Sequence, residues 1–290
     1  MINKNYLLGI GFKLLNCLLF PVMSIVMLEC TKTMPLPMVL IAQTFFGAII
    51  SLIYLIITKK SISLNMEKKD FLLYVGRALS NMIAMAMWMF SLSKLGVNEA
   101  TALGYTGPLW VFLMARYIIG EKFRTYILAL IAINMIGMYI ILEPKFSDLP
   151  LEGIAGALGS ILLWAIYEVI CKKQTANQHY MLQSFYFMTL STIMLIPFAV
   201  TSLQIIDFSQ VALLFSVAVI AVANITVIFL AYSLAPLMLL APFSYTRLVF
   251  TVILTAVIYG TMPNIQTFIG AAIIMTANLY MTYYFRKKEI

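Results

Sequence analysis

A chain of 290 residues that is 63% hydrophobic and only 10% charged, with a mean hydropathy of +0.99, is far more apolar than a water-soluble domain, whose charged fraction is about a quarter. Its net charge of +8 comes without a basic helix or any interleaving of basic and aromatic residues, so nucleic acid is not an expected partner. Three widely spaced cysteines (Cys17, Cys30, Cys171) and one histidine (His179) leave no disulfide framework, no CxxC metal site and no histidine relay, and no cofactor or metal is expected.

Apolar runs of about 20 residues, the length a helix needs to cross a core of about 30 Å, follow one another along the chain. The first, Tyr6 to Leu28, is long enough to be a retained span and has no A-x-A-like cleavage site after it. Within "YLLGIGFKLLNC" it places Gly9, Lys13 and Asn16 on one face, with Lys13 about 10 Å deep, so that a cavity-facing and a snorkelling lysine are both open. The second runs from Pro37 to Ile57. The third, Phe71 to Leu92, carries Arg77 about one turn in, where an interfacial anchor is expected. The fourth, Ala100 to Ile119, contains "GYTGPLW" and ends near Arg116, also read as an anchor. The fifth is Phe123 to Leu142. The sixth, Glu152 to Cys171, holds Glu168 four residues before Lys172, the favourable order for an ion pair, with a cavity carboxylate as the alternative. The seventh, Gln178 to Val200, follows a polar connection, and His179 is expected to be solvated there. Ser209 to Tyr232, Pro236 to Tyr259 and Gln266 to Phe285 complete ten spans, joined by short connections with no soluble domain.

Lysine and arginine placement sets the orientation. Alternate connections on one side carry Lys4, Lys59, Lys60, Lys68, Lys69, Lys122, Arg124, Lys172, Lys173, Arg286, Lys287 and Lys288; the other side carries only Lys32, Lys94 and Lys145. Both termini are therefore expected in the cytoplasm. Lys13, Arg77, Arg116 and Arg247 remain inside spans.

Sliding the region 88–140 by 140 residues brings Ser93 onto Ser233, Tyr105 onto Tyr245, Thr106 onto Thr246 and Gly120 onto Gly260, with the helices in register. This predicts two repeats, 1–145 and 150–290. With five spans each, the second half enters the membrane from the opposite face, giving an inverted repeat with its site near the midplane.

Ten spans in a five-plus-five arrangement, "RYIIGEK" closing the fourth, "LLWAIYEVICKK" in the sixth and "YSLAP" before the ninth resemble the EamA-type branch of the drug/metabolite transporter superfamily. The resemblance implies an all-α integral membrane protein of the cell inner membrane in which spans 1, 3, 4, 6, 8 and 9 surround a central cavity and spans 5 and 10 are peripheral. The family's Gly-Glu after the fourth span is present as Gly120-Glu121, whereas after the ninth it is Gly260-Thr261. Val97 stands where the family often has proline, and Gln43 where it often has arginine.

Arg247 is the sharpest polar feature. It lies eleven residues from one end of the ninth span and twelve from the other, about 16 to 18 Å of helix, beyond the reach of its side chain. An arginine exposed to lipid there costs at least about 2.5 to 3.5 kcal/mol, so it should face protein or water. Ser244, Arg247, Thr251 and Thr255 share a face. No acidic residue is expected at that depth. Arg247 either ties helices together through backbone carbonyls or awaits a substrate carboxylate or phosphate.

Opposite it in the first repeat is Gly107, and Gly104 and Gly107 leave a small face for packing or for a ligand. Pro108 and Pro242 interrupt the corresponding helices. Tyr105, Tyr245, Trp88, Trp110 and Trp164 are packing residues or stacking partners. The sequence offers no HExxH, no GxSxG and no paired intramembrane carboxylates, which argues against an enzyme. The expected activity is secondary transport by alternating access of a small organic solute with an acidic group, an amino acid or amino-acid-derived metabolite, S-adenosylmethionine being one member. A channel or a membrane scaffold is the alternative. The expected substrate site comprises Arg247, Ser244, Tyr245, Thr251, Lys13, Asn16, Gly104, Tyr105, Gly107, Trp88, Trp164 and Glu168. Lipid is a partner, and a homodimer is an open assembly.

Overall fold

The computed structural model describes residues 4–59, 68–122, 125–145, 147, 149–175, 178–202, 204–260 and 262–288. Lys60, Phe123, Arg124 and Thr261 lie outside the described residues. Among those described, the secondary structure is helical, with no strand. The helices are α1 (Lys4–Thr31), α2 (Leu36–Ile57), α3 (Lys68–Lys94), α4 (Val97–Gly104), α5 (Gly107–Met114), α6 (Thr125–Leu142), α7 (Leu151–Gln174), α8 (Tyr180–Ala199), α9 (Phe208–Leu234), α10 (Leu237–Leu240), α11 (Thr246–Tyr259) and α12 (Ile265–Lys288). Among the described residues they make ten spans long and apolar enough to cross a membrane. The fourth is α4 and α5 with a π-helical turn, Ala115–Ile119; the ninth is α10, a 3-10 turn over Ala241–Tyr245, and α11.

Local chemistry sets the ends. Pro35 and Pro150 occupy the N-caps of α2 and α7, where a missing N–H removes no helical bond. Asp207 accepts from the Gln210 N–H while the Gln210 side chain accepts from the Asp207 N–H, a capping box that opens α9. The fourth and ninth spans both stop at glycines in the left-handed region, Gly120 (φ 82) and Gly260 (φ 66), a backbone state that a Cβ would strain.

The long helices pair between the halves. α1 packs along α9, and α7 along α3; α2 packs on α8, and α6 on α12. The pattern is unchanged when each span is exchanged for its counterpart in the other half. Lipid gives no hydrophobic drive for helix association, so close packing and polar contacts hold these pairs. At the α6–α12 crossing, a side chain on Gly137 or Gly270 would run into the other's backbone carbonyl. Each pair also carries a polar link. Asn16 and Asn224 clasp α1 to α9, with Asn16 Nδ2 3.0 Å from Asn224 Oδ1, and Trp164 Nε1 donates to Asn81 Oδ1 at 3.3 Å between α7 and α3. Ser51 with Ser184 (3.1 Å) and Tyr54 with Tyr180 (2.8 Å) join α2 to α8. Asn134 donates to Asn278 at 3.4 Å between α6 and α12. Such contacts in membranes average about 0.6 kcal/mol each.

Candidate functional site

The fourth and ninth spans are both broken. Pro108 has no N–H to offer the Gly104 carbonyl, and the Leu109 N–H bonds Thr106 instead of Tyr105. The Tyr105 carbonyl, released from the helix, accepts the Tyr245 hydroxyl at 2.7 Å. The rings of these two residues stack, with centroids 5.6 Å apart and planes at 23°. The second break is the 3-10 turn containing Pro242, and its Phe243 carbonyl accepts from Cys17 Sγ at 3.4 Å.

Arg247 follows this turn as the second residue of α11. Its guanidinium carbon lies 3.9 Å from the centre of the Phe20 ring, a close cation–π contact. Its Nε is buried without a hydrogen-bond partner. Among the described residues no carboxylate pairs with it; the ion pairs found there are Lys32 with Glu29 and Lys94 with Glu152, both at span ends.

Lys13 is 1% exposed, and its Nζ sits 5.8 Å from the centre of the Tyr232 ring. Glu168 is half-buried on α7. The expected Glu168–Lys172 ion pair does not form. Lys172 turns instead to the carbonyls at the end of α9, donating to Tyr232 and, at 2.8 Å, to Ala235. Those carbonyls lack helical donors and carry the negative end of the helix dipole, so they compete well with a carboxylate. Lys13, Cys17 and Phe20 share one face of α1 at helical spacing, so Lys13 and the ring that carries Arg247 lie along the same side of that helix.

The other expected site residues are placed less centrally. Asn16 is engaged with Asn224. Trp88 packs on Gly104, where a Cβ would come within 3.0 Å of the indole, and its ring lies 5.7 Å from that of Trp164. Gly107 faces Ile161 with room for a methyl group. Ser244 is half-buried in the 3-10 turn, and Thr251, exposed, donates its hydroxyl to the Arg247 carbonyl at 2.9 Å.

Two further expectations are corrected. Arg77 is no interfacial anchor: it is fully buried, with its guanidinium carbon 4.9, 4.5 and 4.5 Å from the ring centres of Tyr167, Phe187 and Phe229. It donates to Gln174 Oε1 at 3.0 Å and to the Tyr167 hydroxyl at 3.3 Å. A signal for this was available, since Tyr74, Arg77, Asn81, Trp88 and Ser91 form a polar stripe at helical spacing. His179 is not merely solvated; its Nδ1 caps α8 by accepting from the Met181 N–H at 3.3 Å. Arg116, in contrast, is exposed at the span end, as expected, and bonds the Glu121 carbonyl at 3.3 Å. Glu121, the acid of the Gly120-Glu121 motif, is a cap: its two carboxylate oxygens accept the N–H groups of Leu237 and Met238, at 2.7 and 2.8 Å, at the start of α10.

Comparison with known proteins fits this arrangement. The model of the EamA-like transporter family matches the chain twice, over residues 7–143 and 151–283. An S-adenosylmethionine uptake transporter of Rickettsia bellii is 23% identical over 280 residues, covering 97% of this chain and 95% of its own. A pseudopaline exporter of Pseudomonas aeruginosa is 20% identical over 271 residues, 93% of this chain and 94% of its own. A solved crystal structure shares the fold with a TM-score of 0.79 at 17% identity, covering 99% of this chain and 100% of that one.

Proposed function

The chain belongs to the EamA-like transporter family, and on that premise we propose that it is a secondary transporter of a small organic metabolite with an acidic group, working by alternating access. The class put forward is an amino acid or amino-acid-derived solute, to which S-adenosylmethionine, carried by a relative, belongs. The observation that carries this reading is the Arg247 guanidinium: one face rests on Phe20, while the buried Nε has no acceptor from the protein. A carboxylate or phosphate that met this edge would form the charge-assisted bonds the chain does not supply.

In this reading Lys13 supports the anion, Glu168 takes a substrate amine, and the half-buried Tyr105, Trp88 and Trp164 offer ring surfaces. Residues 1–145 and 150–290 act as two inverted repeats about the broken fourth and ninth spans, the kind of place where transporters hold substrate. The protein sits in the cell inner membrane with both termini in the cytoplasm, as the basic connections favour.

The test is a competition screen of metabolites against the purified protein by thermal shift, repeated on Arg247→Ala. The expected result is a ligand that raises the melting temperature of the wild type and leaves the variant unmoved. Equal stabilisation of both proteins would make Arg247 structural and remove the site. For the ligand found, uptake into proteoliposomes should saturate and be stimulated by counter-substrate; unsaturable flux would point to a channel.

A further inference from the structure

We propose, on the footing of the alternating-access reading above, that Glu121 is a gating residue present in one half only, and that it holds the resting protein closed on the side where α10 begins and open on the side where α4 begins. The two places correspond under the 140-residue shift that relates the halves: Leu237 and Met238 open α10, and Val97 and Asn98 open α4. Their burial is opposite. Leu237 and Met238 are 1% and 2% exposed, and the chain stays buried through Ala241, Pro242 and Phe243 to the break in the ninth span. Val97 is 69% exposed, Asn98 is exposed as well, and within α4 only Ala100 and Ala102 are buried. When one half rocks against the other, ends that match in sequence become unlike, one packed shut and the other opened.

The packed end carries bonds that the open end lacks. Glu121 follows Gly120, reaches from the first half into the second and accepts the Leu237 and Met238 N–H groups at 2.7 and 2.8 Å, while Arg116 holds its carbonyl at 3.3 Å. Lys172 adds the Tyr232 and Ala235 carbonyls just before α10. In the second half Gly260 repeats the left-handed turn of Gly120, φ 66 against 82, but the next residue is Thr261. A threonine brings one neutral oxygen on a shorter side chain where a carboxylate brings two charged ones. Among the described residues no side chain bonds the N–H groups of Val97 and Asn98, and the nearby acid, Glu99, accepts from the Lys145 N–H at 2.9 Å. Lys32, at the end of the first span as Lys172 is at the end of the sixth, pairs with Glu29 of its own span at 2.7 Å. Opening the α10 side therefore breaks charge-assisted bonds that closing the α4 side does not replace, and the resting equilibrium favours the arrangement seen.

The experiment follows maleimide labelling of the purified full chain without ligand, in a background whose Cys17, Cys30 and Cys171 are replaced. The reporters are the matched positions Met238→Cys and Asn98→Cys, neither of which removes a backbone N–H. With Glu121 in place, Asn98→Cys should react fast and Met238→Cys more slowly by about tenfold or more. Adding Glu121→Thr, which gives the first half the residue of the second, should speed Met238→Cys by about tenfold, the loss of charge-assisted hydrogen bonds, and slow Asn98→Cys. Glu121→Gln, which keeps one acceptor oxygen, should fall between, and it decides if Glu121→Thr does not fold. Slow labelling of Asn98→Cys with Glu121 in place overturns the inference alone. So do Glu121 variants that keep the original rates, and so does a rise at Met238→Cys with Asn98→Cys unmoved, the mark of a purely local cap. Fast labelling of both positions with Glu121 in place would describe a passage open at both ends and bring down the alternating-access reading together with this inference.

Discussion

Arg77 and Arg247 are two arginines at intramembrane positions, and their surroundings predict opposite responses to the same substitution. Arg77→Met would strip Gln174 and Tyr167 of their buried partner and open a space among three rings, so a loss of about 2 to 4 kcal/mol is expected. Arg247→Met would remove a buried donor that has no acceptor, and stability should change by less than about 1 kcal/mol or rise, while ligand binding disappears. Melting of both variants in the same detergent, without ligand and then with it, checks this; an Arg247 variant as damaged as the Arg77 variant would mean that Arg247 is a structural tie. The sequence singled out Arg247 because a side chain cannot reach either surface from its depth. It misplaced Arg77 because depth alone is a poor guide near a span end: a residue one turn inside can snorkel or turn inward, and rings on α7, α8 and α9 decided the matter.

At the scale of elements, hydropathy and length sufficed for the ten spans, since a helix that crosses lipid must be about 20 apolar residues long. What they could not reveal was which groups satisfy the ends of the broken spans. Lys172 was read with its sequence neighbour Glu168, yet the open carbonyls of α9 took it. Glu121 carried no local signal for its part, because α10 lies 116 residues away. Its two hydrogen bonds hold the start of the ninth span against the end of the fourth. Replacing it by alanine should cost about 1 to 2 kcal/mol as a lost charged cap, and Glu121→Gln, which keeps one acceptor oxygen, less. Thermal melting would show the order; indistinguishable alanine and wild-type proteins would mean that water serves the α10 N–H groups equally well.

For the whole molecule, contacts between connections sort the ends of the spans into two sets. Glu99 accepts from the Lys145 N–H at 2.9 Å and Gln204 donates to the Thr33 carbonyl at 3.0 Å, joining connections that follow odd-numbered spans. Glu121 and Lys172 join connections that follow even-numbered spans to the start of the ninth. This alternation is what ten complete crossings require, and it divides the basic residues unevenly, with Lys32, Lys94 and Lys145 in the first set. The positive-inside rule then predicts that the second set, together with both termini, faces the cytoplasm. In a variant whose Cys17, Cys30 and Cys171 are replaced, a cysteine introduced by Lys145→Cys should react with a membrane-impermeant maleimide on intact cells, and one introduced by Lys122→Cys only after the membrane is opened. The reverse labelling would turn the protein over and place the Glu121 cap at the outer face. Labelling of both in intact cells would contradict the assignment of two sides. With five spans to a half, the expected result also sets the two repeats in opposite directions across the membrane, which puts the breaks at Tyr105 and Tyr245 face to face at one depth, where their rings stack.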